Sequence, residues 1–411
     1  MADRQWANSY LPVELFGRID EMSPATEQTV RDSSQNQNQN QNQNQKQENP
    51  SSPIAAAGPT VVLEKGDTPL SRVPEDYVSR GEAKWFVVPQ GPDAGKRLFF
   101  YDEIIGEGAP EATLVFVHGN PESSYTYRQT IESVKRLASK TYRVVAMDHI
   151  GFGLSDQATF EMVDMHHSNN LKQLIAFLDL QKVTLVIHDW GGAIGIGAMI
   201  DTPERLDNLV LMNTTVFPIP LNGWNFTNFP FPGKLSWNSL GYLIPWQWWR
   251  MIPPIVMFSS VGRWKFIARS CSLLIRAGLG RLTEGESLYR DMFKTKSNAL
   301  SSMRNVKQTK LWGHGYCYFD RTLGWQDNRE FYQNIQNNIS SRWGPDGGDI
   351  GVRAFWGEWD PTAQSSVQSQ WTDALPQLNG FIRLYPNRGH FIEEHEYRDI
   401  AEAIVEVSSL A

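Results

Sequence analysis

The chain of 411 residues has little cysteine, and its two, Cys271 and Cys317, cannot build a disulfide framework. Its Cys and His spacings match no zinc site, so neither a metal nor an organic cofactor is expected. It also lacks an excess of positive charge. A formal net charge of −7 leaves no basic face for nucleic acid. No run approaches the roughly 18 apolar residues of a spanning helix, and Pro253 and Pro254 interrupt the nearest candidate. The opening Met-Ala-Asp-Arg-Gln-Trp leads into no apolar stretch, so no Sec-type leader is expected. Phosphate loops are missing too. Residues 91–97 fall one short of a P-loop and lack its Ser or Thr, and 151–156 lack the third glycine of a dinucleotide fingerprint. Together these absences predict a cytoplasmic protein without a membrane or nucleic-acid partner.

What is present is uneven along the chain. Residues 35–45 alternate strictly between Gln and Asn, with Ser, Pro and Glu around them, and such a tract has nothing to bury. We expect residues 1–80 to be a disordered extension, with one isolated apolar run at 10–16 that has the look of a docking peptide. Beyond it the composition is that of a folded domain, 41% hydrophobic and 20% charged over the whole chain.

Strand-like runs recur at 84–88, 97–101, 113–117, 143–147, 183–187 and 209–212, the middle ones almost continuously apolar. That is the pattern of parallel strands covered on both faces. Helical periodicity lies between them, as at Leu171, Leu174, Ile175 and Leu178. The alternation predicts an α/β fold with a mostly parallel, doubly wound sheet. The pattern stops after Val216 and returns at 352–356 and 381–385, before a closing helix near 398–407. The expected organisation is therefore a first core segment at 81–216, a helical Trp-rich cap at 217–335 inserted after the sixth strand, and a second core segment at 336–411.

Ligands of open α/β sheets bind beyond the carboxyl ends of the strands. Strand 183–187 runs into His188-Asp189-Trp190-Gly191-Gly192 and then a helix. This is the layout of a nucleophile elbow with Asp in the place of the usual Ser, and the chain has no G-x-S-x-G. A plain helix N-cap is the structural alternative for Asp189. Strand 113–117 ends in His118-Gly119-Asn120-Pro121, where Asn120 is placed to form half of an oxyanion or anion hole. Strand 352–356 is followed by Asp360, and strand 381–385 by His390. The chain order Asp189, Asp360, His390 is nucleophile, acid, base.

On these residues the chain resembles the α/β-hydrolase superfamily, and within it the haloalkane dehalogenases. The resemblance spans roughly residues 80–410. It is carried by Val117-His118-Gly119-Asn120-Pro121, by the block from Asp148 through Gly151-Phe152-Gly153 to Asp156, and by His188-Asp189-Trp190-Gly191-Gly192. It implies that Asp189 attacks a halogen-bearing carbon while Asn120 and Trp190 hold the departing halide. Water activated by His390, with Asp360 behind it, would then hydrolyse the ester. The expected partners are a small apolar organic substrate, water and halide ion. The family's other acid position falls near Asn213, an amide that cannot serve, and His149 stands where relatives more often have an apolar residue. Epoxide hydrolases share the machinery but activate oxygen with cap tyrosines, for which Tyr242, Tyr289, Tyr316 and Tyr318 are candidates. A catalytically silent scaffold acting by binding is the reading from a different class.

Overall fold

The computed structural model describes residues 59–77, 83–258 and 261–409. The Gln/Asn tract and the apolar run at 10–16 lie outside the described residues. Nine strands form one sheet: β1 (Thr60–Val62), β2 (Lys84–Val87), β3 (Arg97–Ile105), β4 (Ala112–Val117), β5 (Tyr142–Met147), β6 (Val183–His188), β7 (Leu206–Met212), β10 (Gly351–Gly357) and β11 (Ile382–Tyr385). Two more, β8 (Cys317–Asp320) and β9 (Gly324–Asp327), make a separate antiparallel hairpin. The order in the large sheet is β1-β2-β3-β5-β4-β6-β7-β10-β11. From β5 to β11 all neighbours are parallel, and only the β1–β2, β2–β3 and β3–β5 pairs are antiparallel.

Every residue of β4 and β6 is buried, because helices cover both faces of the sheet there. The chain moves outward from β4 to β5 on one side and returns to β6 on the other. The crevice at the carboxyl ends of β4 and β6 is therefore the topological switch point, where this architecture places its ligands. Val117 pairs with Ile187. The loops that follow consequently leave the sheet side by side, one carrying Asn120 and the other Asp189.

Three features depart from the sequence expectation. The extension drawn as 1–80 is not structureless throughout. Thr60–Val62 adds an edge strand, Leu70 and Tyr77 are buried, and the Tyr77 hydroxyl donates to Asp148 Oδ2 at 2.6 Å. Polar composition around these few apolar anchors hid them. That extra strand makes β7 the seventh in chain order, so the cap follows the seventh strand rather than the sixth. The cap also holds the hairpin β8–β9 where only helices were expected, its turn closed by Gly324 at φ +77. The boundary at 335 falls inside the helix Arg329–Trp343, whose buried Tyr332, Ile335 and Ile339 join the same core as β6 and β7.

Candidate active site

Asp189 sits at φ +51 between β6 and the helix Gly191–Met199. A non-glycine residue there costs about 1–2 kcal/mol, and it is held because the turn is tied down on both sides. Thr214 Oγ1 donates to the Asp189 carbonyl at 2.6 Å, and Gly192 N–H donates to the same oxygen at 3.1 Å. Glycine is required at the two closest approaches. A Cβ on residue 119 would run into the Asp189 carboxylate, and one on residue 191 into the Val117 carbonyl.

The Asp189 side chain is 3% exposed, and both of its oxygens are engaged. Asn120 backbone N–H donates to Oδ1 at 2.7 Å, and His390 Nε2 lies 3.0 Å from Oδ2. On the far side of the ring, His390 Nδ1 lies 2.6 Å from Asp360 Oδ2. Asp360 is buried, and its other oxygen accepts from Thr362 N–H at 2.8 Å and from the Thr362 hydroxyl. Burial pushes the His390 imidazolium down, but the Asp360 and Asp189 carboxylates outweigh it and raise its pKa well above the usual histidine value. The three residues named from strand ends thus form one hydrogen-bonded line, Asp189–His390–Asp360. Its geometry is the arrangement expected of a nucleophile–base–acid line, with the three residues in the chain order Asp189, Asp360, His390.

Asn120 stands beside that line, and its amide is oriented from behind. Ser302 Oγ, on the cap helix Lys296–Gln308, donates to Asn120 Oδ1 at 2.6 Å and accepts from Trp249 Nε1 at 3.0 Å. With its oxygen fixed in this way, the amide presents Nδ2, which is buried and has no partner. Trp190 is different. Its indole is 2% exposed, stacks on Trp312 at 4.0 Å between ring centres, and is not among the residues that line the cleft. One face of its ring is thus packed against Trp312.

Asn213, ruled out as the acid, has a role of its own. Its amide nitrogen donates to the carbonyls of Gly389 (3.0 Å) and His390, and its oxygen accepts from Gly357 N–H at 2.9 Å. The end of β10 and the His390 loop are thereby sewn together. His149 closes a row of three buried imidazoles, His118, His149 and His167, with ring centres 4.1 and 4.7 Å apart. Burial lowers the pKa of all three, that of His149 to about 4, so they are neutral packing groups.

A second polar cluster, missed in the sequence, lies fully buried beneath the line. His188 is paired through Nδ1 with Glu122, and its Nε2 lies 3.5 Å from Glu393 Oε2 and 2.8 Å from the His390 carbonyl. Burial pushes the His188 imidazolium down, but the Glu122 and Glu393 carboxylates overcome it and lift its pKa to about 9. Burial raises Glu393, with His188 pulling the other way. Two carboxylates and an imidazole within 4.8 Å of one another have the composition of a metal-ligand set. The direct contact between His188 Nδ1 and Glu122 makes an ion pair when His188 is protonated. No spacing rule connects residues 122, 188 and 393, so the cluster is not legible from residue order alone.

The cleft above Asp189 has a cavity volume of about 60 Å³. Besides Asn120, Asp189, His390 and His395 it is lined mostly by carbon, from Phe226, Phe229, Trp237, Met257, Phe266 and Trp359 among others. None of Tyr242, Tyr289, Tyr316 or Tyr318 lines it.

Nucleophile elbow, doubly wound sheet and late cap together decide the architecture, and residues 112–255 match the family model for the alpha/beta hydrolase fold. The chain has the α/β-hydrolase fold. It is similar to a cis-3-alkyl-4-alkyloxetan-2-one decarboxylase of Shewanella oneidensis, at 39% identity over 140 residues, or 32% of this chain and 41% of the relative. It is equally similar to a haloalkane dehalogenase of Mycolicibacterium smegmatis, at 38% over 130 residues, or 30% of this chain and 39% of the relative. These alignments thus span about two fifths of the length of those curated α/β-hydrolase relatives. Among solved structures, a tetrameric haloalkane dehalogenase of Paraglaciecola agarilytica superposes with a TM-score of 0.57 at 22% identity, over 82% of this chain and 97% of that one. The last comparison speaks for the α/β-hydrolase fold alone.

Proposed function

We propose that the protein hydrolyses apolar haloalkanes to alcohol and halide, with Asp189 as nucleophile. The observation that carries this reading is the unpartnered, buried Asn120 Nδ2 beside the carboxylate, a donor with nothing to bind until an anion arrives. In the first step Asp189 Oδ2 forms a bond to the sp³ carbon, the carbon–halogen bond breaks, and the halide leaves against the Asn120 amide. A carboxylate needs no base for this attack. Esterification removes one of the two negative charges that hold His390 protonated, so its pKa falls and it becomes a base. His390 then takes a proton from water, and the hydroxyl attacks Asp189 Cγ. The oxyanion forms on Oδ1, which already accepts the Asn120 N–H. The intermediate collapses, the bond from Cγ to the alkyl-bearing oxygen breaks, and that oxygen takes the proton back from His390 to leave as the alcohol. The Asp189 carboxylic acid left behind releases its proton to solvent and is a carboxylate again. Asp360 holds the imidazole in the right tautomer throughout.

The carbon-lined cleft favours alkyl substrates, each added methylene being worth about 0.8 kcal/mol. KM should therefore fall roughly fourfold per methylene until the cleft is filled. The epoxide reading loses ground because the cap tyrosines do not line the cleft.

A second reading is favoured by relatives named as oxetan-2-one decarboxylases, at 39% and 28% identity. The same carboxylate could open a four-membered lactone at its sp³ ring carbon. Loss of CO₂ would then form the alkene and expel Asp189, with no water consumed. The deciding test offers bromoalkanes and a cis-3,4-dialkyl oxetan-2-one to the same protein. Bromide and alcohol support dehalogenation, whereas alkene with CO₂ and no bromide moves the assignment to the lactone.

A further inference from the structure

The cap helix Arg263–Gly278 has two apolar faces. One is turned inward, where Phe266 lines the cleft and Leu273 is fully buried. The other faces solvent. At 100° per residue Trp264, Ile267, Leu274 and Ile275 share an arc of about 100°, the width of a face that normally packs on a core. Trp264 is 84% exposed, Ile275 63% and Leu279, one residue past the helix, 63%. A surface helix would ordinarily carry polar residues here, and an apolar patch of this kind marks a contact surface.

The charge around the patch selects the partner. From 263 to 283 the chain has five basic residues, Arg263, Lys265, Arg269, Arg276 and Arg281, and no acid, although the whole chain is acidic. Glu286 meets Arg276 at 2.5 Å and Arg269 at 3.5 Å, while Lys265 and Arg281 are exposed. By the same arithmetic Arg263 borders one edge of the stripe, the exposed Lys265 lies about 80° beyond the other, and Arg281 follows the helix end. Exposed cations beside an apolar stripe with a tryptophan are the composition of a helix that lies in the interface of an anionic bilayer. At 16 residues the helix is too short to span, and among the described residues no helix is long and apolar enough to cross a membrane. Lying on a membrane makes no such demand.

We propose that the cap docks the protein on an anionic lipid surface through the outer face of Arg263–Gly278, revising the expectation of no membrane partner. The inner face of the same helix lines the cleft, so docking would bring the cleft near the phase in which apolar substrates collect. This proposal does not depend on which reaction the cleft performs.

The test is co-sedimentation of the full chain with vesicles of phosphatidylcholine, with or without about a third phosphatidylglycerol. The protein should pellet with the anionic vesicles and not with phosphatidylcholine alone, and added salt should weaken the binding. The double variant Trp264→Glu, Ile275→Glu should reduce the bound fraction at least tenfold with an unchanged unfolding midpoint. Lys265→Glu with Arg281→Glu should lower it several-fold, which provides an independent arm if the first variant folds poorly. Failure of the full chain to pellet, or equal pelleting of all variants, overturns the proposal. So does self-association that Ile275→Glu abolishes without any vesicle binding, since the stripe would then serve a second copy of the chain.

Discussion

On the sheet side of the cleft every reactive atom is held by something behind it, whereas the cap side offers mostly carbon. Asp189 is fixed by Thr214 and Asn120, His390 by Asp360 and Asn213, and Asp360 by Thr362. The cap lines the cleft with Phe226, Trp237, Leu240 and Phe266, which set shape and dryness but no bond order. Ser302 is the exception, a cap residue that orients a core residue. The difference teaches where chemistry and selectivity reside. On the proposed function, the strand ends would decide what bond is broken and the cap which molecule arrives.

The largest effect should come from the sheet side. Asp189→Asn keeps the shape of the site and removes the nucleophile, so bromide release should drop on the order of 10⁴-fold. Retained release would dissolve the distinction between the two walls. Asn120→Ala should lower the rate of halide release by about 10²–10³-fold, read in single-turnover bromide measurements, because it removes the donor that meets the anion. Deleting residues 1–80 should cost about 2–4 kcal/mol by denaturant titration, since it removes the buried Leu70 and Tyr77 and leaves Asp148 without the Tyr77 hydroxyl. Deleting 1–58 spares those contacts, and its unfolding midpoint should stay where the full chain's is.

A subtler break concerns the buried cluster. The folded-state pKa of His188 is raised from 6.5 to about 9, so its contribution to stability is complete below pH 6.5 and is lost as pH rises through about 9. Denaturation midpoints should fall across that window, and Glu122→Gln should flatten the slope. The smallest effect tests the link between the walls. Ser302→Ala frees the Asn120 amide to rotate and should slow halide release about tenfold, roughly the 1–3 kcal/mol of a buried group left unsatisfied.

Much of the core was legible because its chemistry sits at fixed points of a repeating pattern. Asp189, Asp360 and His390 each follow a strand, and a strand end can be read from where an apolar run stops. Asn120 was legible for the same reason. Residues whose meaning depends on distant partners were not. Ser302 is one polar residue in a helix and gains its role from Asn120, 182 positions away. Glu122, His188 and Glu393 meet only after three loops converge. Trp190 was legible only in part: its place after Asp189 marks it, but the stacking of Trp312 on its ring, with Phe226 beyond, has no signature in the sequence. The strand at Thr60–Val62 escaped because three residues carry too little periodicity to stand out beside a polar tract.

The most direct test of the account is the covalent intermediate on Asp189. His390→Phe should still accept the alkyl group but lack the base that removes it. After incubation with a bromoalkane, peptide mass spectrometry should find the alkyl mass on Asp189, with one bromide released per protein and no further turnover. Unmodified Asp189 together with sustained turnover would contradict the mechanism at its centre.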